Sequence, residues 1–375
     1  MLRYVLFLLV ALLTVGLGQS LQAQDGSPYT TESFPPVRVA ANVSDCLVTV
    51  ESIGLPYAGF SILNPYQRTI SQIGGTGFII TSDGYILASP GVVKDTKILK
   101  VTHQGKEYDA TVEATDKFYD LALLKIDATG LPTVKWGNSD LVQRGLPVVV
   151  MGSPAGLEET MTYGFITNIR DFRIVGPRGY DGMLVLKGFV TDAALHSGVE
   201  AGPVFSPDSE CIAVVARKVV SGGQQNIGYL IPSNLVRGIA DQLISSGKVC
   251  HPWLGVFPYA LYDRALALYM GIPINEIDPE TGQLYDVVGV LVNAVAETSP
   301  AAEAGIVRGD LILRVDGELI RTTEDLEAAI LTKGCGEEIS LVIVRNYTLK
   351  YITLEIGNKQ EDYGNIYVLG RQVSI

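Results

Sequence analysis

Thr191-Asp192-Ala193-Ala194-Leu195-His196-Ser197-Gly198-Val199-Glu200-Ala201-Gly202-Pro203 is the stretch whose reading decides the fold. Its Asp-Ala opening, Gly198 and the closing Gly202-Pro203 are the chemistry of a sharp turn, where glycine accepts backbone angles that other residues resist. A turn of the form Gly-x-Ser-Gly-Gly-Pro presents a serine hydroxyl beside backbone N–H groups aimed at a developing oxyanion. Here Glu200 stands at the serine position. The shape of the turn is kept, while its reactive hydroxyl is exchanged for a carboxylate.

Composition sets the outer limits. The chain has 375 residues, enough for two or three domains. A hydrophobic fraction of 47% with 18% charged residues supports sizeable cores and excludes global disorder. The net charge of −12 leaves no basic face for a phosphate backbone, so nucleic acid is not an expected partner. Met1-Leu2-Arg3-Tyr4, an apolar run from Val5 to Val15 and a small-residue exit at Gln22-Ala23-Gln24 read as a signal peptide over residues 1–23. The run is short for a bilayer span, and an uncleaved anchor is the alternative. Either way the folded part is expected outside the cytoplasm: periplasmic, in the cell envelope or secreted. Residues 24–40, with Ser33-Phe34-Pro35-Pro36, read as a linker. Cys46, Cys211, Cys250 and Cys335 allow three pairings into two disulfides, or remain as buried thiols. No CxxC or His/Cys cluster occurs, so neither a metal nor a cofactor is expected.

Short β-rich runs dominate the next two hundred residues. Cys46–Ile53, Gly75–Thr81, Gly84–Ser89, Ile98–His103, Tyr108–Thr115 and Leu121–Ile126 form a first set, with a hairpin signal at Ser82-Asp83-Gly84. Leu146–Gly152, Met161–Ile169, Met183–Thr191, Pro203–Phe205, Cys211–Lys218 and Gly228–Ile231 form a second. Two such sets predict a mostly β fold with two barrels. A helix is predicted from Pro232 to Ser246, with Leu235, Ile239 and Leu243 on one face and Gly247 as its stop. The texture then changes. Strands are expected at Trp253–Phe257, Gly289–Val295, Asp310–Val315, Ile339–Arg345 and Leu349–Ile356, with helices at Asp263–Tyr269 and after Thr322/Thr323. The organisation is therefore a double-barrel domain over 41–246, a smaller domain over 247–357 and a tail over 358–375.

These runs resemble the HtrA/Deg family of exported serine proteases, in the family's order and over nearly all of the chain. Gly75-to-Leu87 resembles its opening hairpin, and Asp120-to-Ile126 its acid-bearing strand. Gly152-Ser153-Pro154-Ala155-Gly156-Leu157 is similar to the loop that starts its second barrel, and Gly228-to-Val236 to its last strand and following helix. Trp253-Leu254-Gly255-Val256 and Ser299-to-Ile312 are similar to its PDZ domain. The resemblance implies a chymotrypsin-like double β-barrel followed by one PDZ domain, and it implies trimers formed through the protease domain.

The chemistry departs from that pattern. The family's histidine aligns with Gly91 in Ala88-Ser89-Pro90-Gly91-Val92-Val93, Asp120 keeps the acid position, and Glu200 replaces the serine. Losing the serine or histidine of such a triad costs about 10⁶ in turnover. The expectation is thus an inactive homologue, not an enzyme, with Gly198 and Ala201 as remnants of the oxyanion turn. The competing expectation is a serine endopeptidase whose site is relocated or completed by another subunit. His196 and Ser197 do not make a pair, because neighbours on an extended loop point opposite ways. Glu200 reads either as a drifted loop residue or as a carboxylate occupying the oxyanion donors. His103 and His251 read as surface residues. Peptide binding is expected at Trp253, Leu254, Gly255 and Val256, whose backbone can receive a C-terminal carboxylate, with Leu326 and Ile330 on the opposite wall. The expected partners are peptides or protein C-termini, and further copies of the chain or active relatives.

Overall fold

In a computed structural model of the chain, the described residues are 35–54, 72–93, 96–153, 160–174, 184–216, 227–261, 275–277, 284–286, 289–346, 348–359, 366–368 and 371–373. The first set of runs becomes β1 (Leu47–Gly54), β2 (Gln72–Ile79), β3 (Tyr85–Ala88), β4 (Thr96–His103), β5 (Lys106–Asp116) and β6 (Leu121–Ile126). They close into a barrel in the order β1-β2-β3-β6-β5-β4. The second set becomes β7 (Pro147–Gly152), β8 (Thr160–Arg173), β9 (Leu184–Thr191), β10 (Pro203–Phe205), β11 (Cys211–Val215) and β12 (Gly228–Pro232), closed in the order β10-β11-β12-β9-β8-β7. Alternation along β7 explains why its sequence is apolar throughout. Val148 and Val150 fill the second barrel, while Val149 and Met151 face the core between the barrels.

Helix α1 (Pro35–Val43) corrects the linker expectation over its last residues. Pro36, Val39 and Val43 recur at helical spacing and are buried. Arg38 donates to the Pro207 carbonyl at 2.9 Å and Asn42 to Ser209 Oγ at 3.1 Å, which straps α1 to the second barrel. Proline is tolerated there because the first helical turn has no N–H bond to lose. The four-residue α2 (Pro90–Val93) follows β3. Helix α3 (Ser233–Ser246) ends where Gly247 adopts φ 68° and donates to the Leu243 carbonyl at 3.0 Å.

The smaller domain is a sheet in the order β14-β17-β18-β20-β21. These are β14 (Val256–Leu261), β17 (Gly289–Val295), β18 (Leu311–Val315), β20 (Glu338–Arg345) and β21 (Thr348–Glu355). Helices α4 (Pro300–Glu303) and α5 (Thr323–Leu331) accompany the sheet, and α5 starts on a capping box between Thr322 and Asp325. The expected strand Trp253–Phe257 is split into β13 (Pro252–Trp253) and β14, because Gly255 turns the chain at φ +86°. The short pairs β15 (Asn275–Ile277) with β16 (Leu284–Asp286), and β19 (Glu318–Leu319) with β18, complete this region. Part of the expected tail is structured: β22 (Gly357–Asn358) pairs with β13, and β23 (Ile366–Val368) pairs with β24 (Arg371–Val373). Pairing with a segment that precedes the whole sheet leaves no local pattern to read. The expected helix at 263–269 and the expected signal peptide lie outside the described residues.

Three further expectations are corrected or resolved. His103 is 6% exposed with Nε2 2.8 Å from the Asp45 carbonyl, and His251 is 4% exposed with Nε2 2.5 Å from Asp116 Oδ2. Both are interior groups, since each found a long-range polar partner. Cys250 and Cys335 form a disulfide, while Cys46 and Cys211 are buried thiols. Burial pushes the Cys46 thiol up to about 12, and it raises that of Cys211 as well.

Candidate active site

Thr76 of β2 builds the cleft between the barrels. Its N–H and its hydroxyl both donate to the Gly198 carbonyl, at 3.1 and 2.7 Å. The same hydroxyl accepts from Ser153 N at 2.8 Å, and Thr49 Oγ1 donates to Ser153 Oγ at 3.0 Å. Thr49, Thr76 and Ser153 are all buried, so this network welds the turn of the second barrel onto the first. Gly202 is required by crowding: a Cβ there would lie 2.7 Å from the Val199 carbonyl and 2.9 Å from that of Met151. Ala201 takes φ 59°, and its N–H donates to the Val215 carbonyl at 3.0 Å. Ala201 is therefore committed to the barrel, which corrects its expected place among the oxyanion donors.

Gly198 N is the donor that the turn does present, and Glu200 has taken it. The Glu200 carboxylate Oε2 accepts from Gly198 N at 2.6 Å. Of the two expectations for Glu200, the geometry is that of an anion seated on the turn's donor, a short charge-assisted bond. Loop drift is thereby set aside.

Across the cleft, Asp120 follows β5 with φ 57° and is half-buried. Ser89 Oγ lies 3.4 Å from Asp120 Oδ2 and accepts from Gly91 N at 3.2 Å. The hydroxyl of Ser89 thus links Asp120 to the backbone of Gly91. Sequence reasoning missed this residue; its place two positions before Gly91 was the available signal. At Gly91 a Cβ would meet only Ser89 Oγ, at an ordinary 3.4 Å. His196 and Ser197 are exposed, and Asp192 is tied to β8 by accepting from Phe165 N at 2.7 Å. Gly91 and Asp120 lie beside Ser89 in the first barrel, and Glu200 lies in the turn between β9 and β10 of the second.

In the sheet domain, β14 is an edge strand. The Leu254 carbonyl accepts from Ala301 N at 2.9 Å and the Gly255 carbonyl from Ala296 N at 2.8 Å. Because a trans peptide sets C=O and N–H on opposite sides, the N–H groups of Gly255 and Val256 point away, toward the free edge. Gly255 has no alternative residue, since a Cβ would lie 2.0 Å from Ser299 Cβ. Leu254, Val256, Leu326 and Ile330 belong to the buried cluster of this domain and Trp253 is half-buried. The side chains of Leu326 and Ile330, expected to form the opposite wall, pack in this core, while the backbone of Gly255 and Val256 keeps the geometry that the peptide reading needs.

Two closed six-stranded barrels with a shared cleft, followed by a sheet domain with an open edge, define a trypsin-like peptidase fold joined to a PDZ fold. Family comparison agrees: residues 75–214 match a trypsin-like peptidase domain, and residues 268–356 match a PDZ domain. A probable periplasmic serine endoprotease DegP-like from Pseudomonas fulva (strain 12-X) is 33% identical over 80% of this chain and 58% of its own length. A protein of the same name from Chlamydia muridarum is 33% identical over 75% of the chain and 53% of its length. The putative serine protease HhoB of Synechocystis sp. is 31% identical over 80% of the chain and 70% of its length. The chain belongs to the HtrA/Deg family of serine proteases, although it spans little more than half of the first two relatives. Among solved structures, the HtrA-type protease AlgW with a decapeptide aligns with a TM-score of 0.69 at 24% identity, over 89% of this chain and 100% of that one. AlgW with a tripeptide aligns with a TM-score of 0.66 at 25% identity, over 87% and 98%.

These relatives correct the expectation that the chain is not an enzyme. Two relatives named as probable serine endoproteases and one named as a putative serine protease match it across three quarters or more of its length, which points to a protease. The cost of losing a serine or a histidine applies to one constellation at positions 91 and 200, and it does not exclude chemistry by other groups.

Proposed function

We propose that the chain is an exported endopeptidase of the HtrA/Deg family that captures polypeptide ends at the free edge of β14 and acts on them in the double-barrel cleft. Gly91 brings no imidazole and Glu200 no hydroxyl, so the site is completed from elsewhere, by a second subunit or by a relocated set of groups. The observation that carries the reading is the retained turn: Thr76 of the first barrel holds the Gly198 turn of the second, in a chain whose relatives are named proteases. A group supplied by another subunit would take the place of the imidazole that Gly91 lacks. Assembly into a homo-trimer, or with active relatives, belongs to this proposal. The outward N–H pair of Gly255 and Val256 suits a terminal carboxylate, and peptide complexes of the AlgW structures support that use. Export is inferred from the periplasmic naming of relatives together with the N-terminal apolar run. The protease-fold unit is taken to start at Pro35 and to end at Ser246.

The test is incubation of the purified chain with casein or a denatured protein, with and without a C-terminal peptide. Cleavage that rises with peptide and is lost in Asp120→Asn is expected. Intact substrate under both conditions, at every protein concentration that allows assembly, overturns the peptidase part and leaves peptide capture to be judged by calorimetry.

A further inference from the structure

Residues Val249-Cys250-His251 leave α3 and lead into β13, while Cys335 lies in the turn after α5. The disulfide between them spans a sequence separation of 85 and crosses from the protease-fold domain's exit to the PDZ helix. Cys250 N donates to Gln242 Oε1 of α3 at 2.8 Å, so the tie is seated on the larger domain. A cavity of about 590 Å³ lies along this seam, with Leu235 and Ile239 of α3, Leu184 of β9 and Leu331 of α5 in its wall. Both disulfide cysteines also line it and are only half-buried, which leaves the cavity as the route by which a small thiol would approach them. Cys46 and Cys211 are 5% and 0% exposed. One further tie runs beside the disulfide: Arg173 at the end of β8 donates to Glu327 of α5, with Nη1 to Oε1 at 3.0 Å. That pair is partly exposed and therefore yields to salt.

We propose that the Cys250–Cys335 disulfide is a redox-operated tether that holds the PDZ helix α5 against the protease-fold domain. The step needs a dithiol reductant. One of its thiolates attacks Cys250 or Cys335 and forms a mixed disulfide, and its second thiol resolves that bond. Two electrons and two protons pass to the protein, which ends with two thiols, while the reductant ends as a disulfide. Reduction leaves α5 held by the Arg173–Glu327 pair and the packing of Leu331 on the barrel core, and the linker held by His251 and Asp116 on the first barrel. Because α5 stands beside β14, the thiol state sets how firmly that flank of the PDZ domain is fixed. The tether is independent of the peptidase reading.

Amide exchange of the full-length protein, before and after dithiothreitol, tests this, with iodoacetamide labelling followed by mass spectrometry. The expected result is labelling of Cys250 and Cys335 alone, with exchange in Thr323–Cys335 rising roughly tenfold while both barrels keep their protection. The rise should be larger at about 0.5 M salt, where the remaining ion pair is screened. A Cys250→Ser/Cys335→Ser variant should show the reduced pattern and ignore the reductant. Complete labelling with unchanged exchange at α5 overturns the tether, as does a disulfide that the folded protein never surrenders. Loss of protection throughout the barrels also overturns it, because the bond would then hold the fold and not one seam.

Discussion

Glu200 illustrates how one side chain redefines a site without disturbing its frame. Its carboxylate sits 2.6 Å from Gly198 N, where a developing oxyanion would be held, and Thr76 keeps the turn in shape underneath. Restoring the exchanged groups is therefore a test of the frame. The Cβ of a histidine at 91 is tolerated, since it meets only Ser89 Oγ at 3.4 Å. Gly91→His with Glu200→Ser is expected to react with a fluorophosphonate probe and to cleave casein about 10²-fold faster than the wild type, the range that a positioned base supplies. Each single variant should lack the probe reaction, because nucleophile and base act as a unit. An unlabelled double variant would mean that the turn no longer presents its donor. Gly255 carries a second residue-scale prediction. Gly255→Ala places a Cβ 2.0 Å from Ser299 Cβ at φ +86°, so the PDZ domain should lose about 1–3 kcal/mol of stability, and peptide affinity with it. Thermal melts and calorimetry read both.

At the scale of elements, legibility followed range. The Ser82-Asp83-Gly84 hairpin and the Gly247 stop were readable because the turn residue and its backbone partner are close in sequence. The same holds for the start of α5, where Thr322 Oγ1 accepts from Asp325 N at 2.9 Å and Asp325 Oδ2 accepts from Thr322 N at 3.0 Å. Thr322→Ala should cost about 1 kcal/mol in chemical denaturation of the PDZ transition; no change would mean that packing of Leu326 and Ile330 alone sets this helix. Helix α1 was not readable, since Pro35-Pro36 signals a linker locally and only the core shared by the two barrels gives Val39 a burial site. Val39→Ala should therefore destabilise the barrel unit by about 2 kcal/mol, the penalty of an interior cavity and not of an exposed tether. In the cleft, the glycine and glutamate positions were legible from the run that surrounds them. Ser89 was not, because its role depends on an Asp120 contact made across β3 and β6.

For the whole molecule, the PDZ domain is fixed to the first barrel by a buried pair that no local pattern announces. His251 Nε2 lies 2.5 Å from Asp116 Oδ2, their side chains are 5% and 4% exposed, and Asp116 Oδ1 also accepts from Tyr119 N at 2.7 Å. Phe118 packs on the imidazole at 4.6 Å between centroids, and the His251 backbone is bound by Asn358 and Lys359. Tyr119 senses both sides of the seam: its phenol is pushed up by burial first, then by the charges of Asp116 and Glu327. Removing one partner leaves the atom that it bonded, Asp116 Oδ2 or His251 Nε2, buried without that bond. His251→Ala should thus cost about 3–5 kcal/mol, more than the imidazole's packing alone would explain. Asp116→Ala should cost a similar amount, because it also strips the acceptor from Tyr119 N. The double variant should cost less than the sum by about 0.5–3 kcal/mol, which urea denaturation of the three proteins would measure. Strict additivity would show that the two groups are neighbours without being partners, and that the domains are joined by the disulfide, the Arg173–Glu327 pair and the packing of Leu331 and Phe118 at the seam.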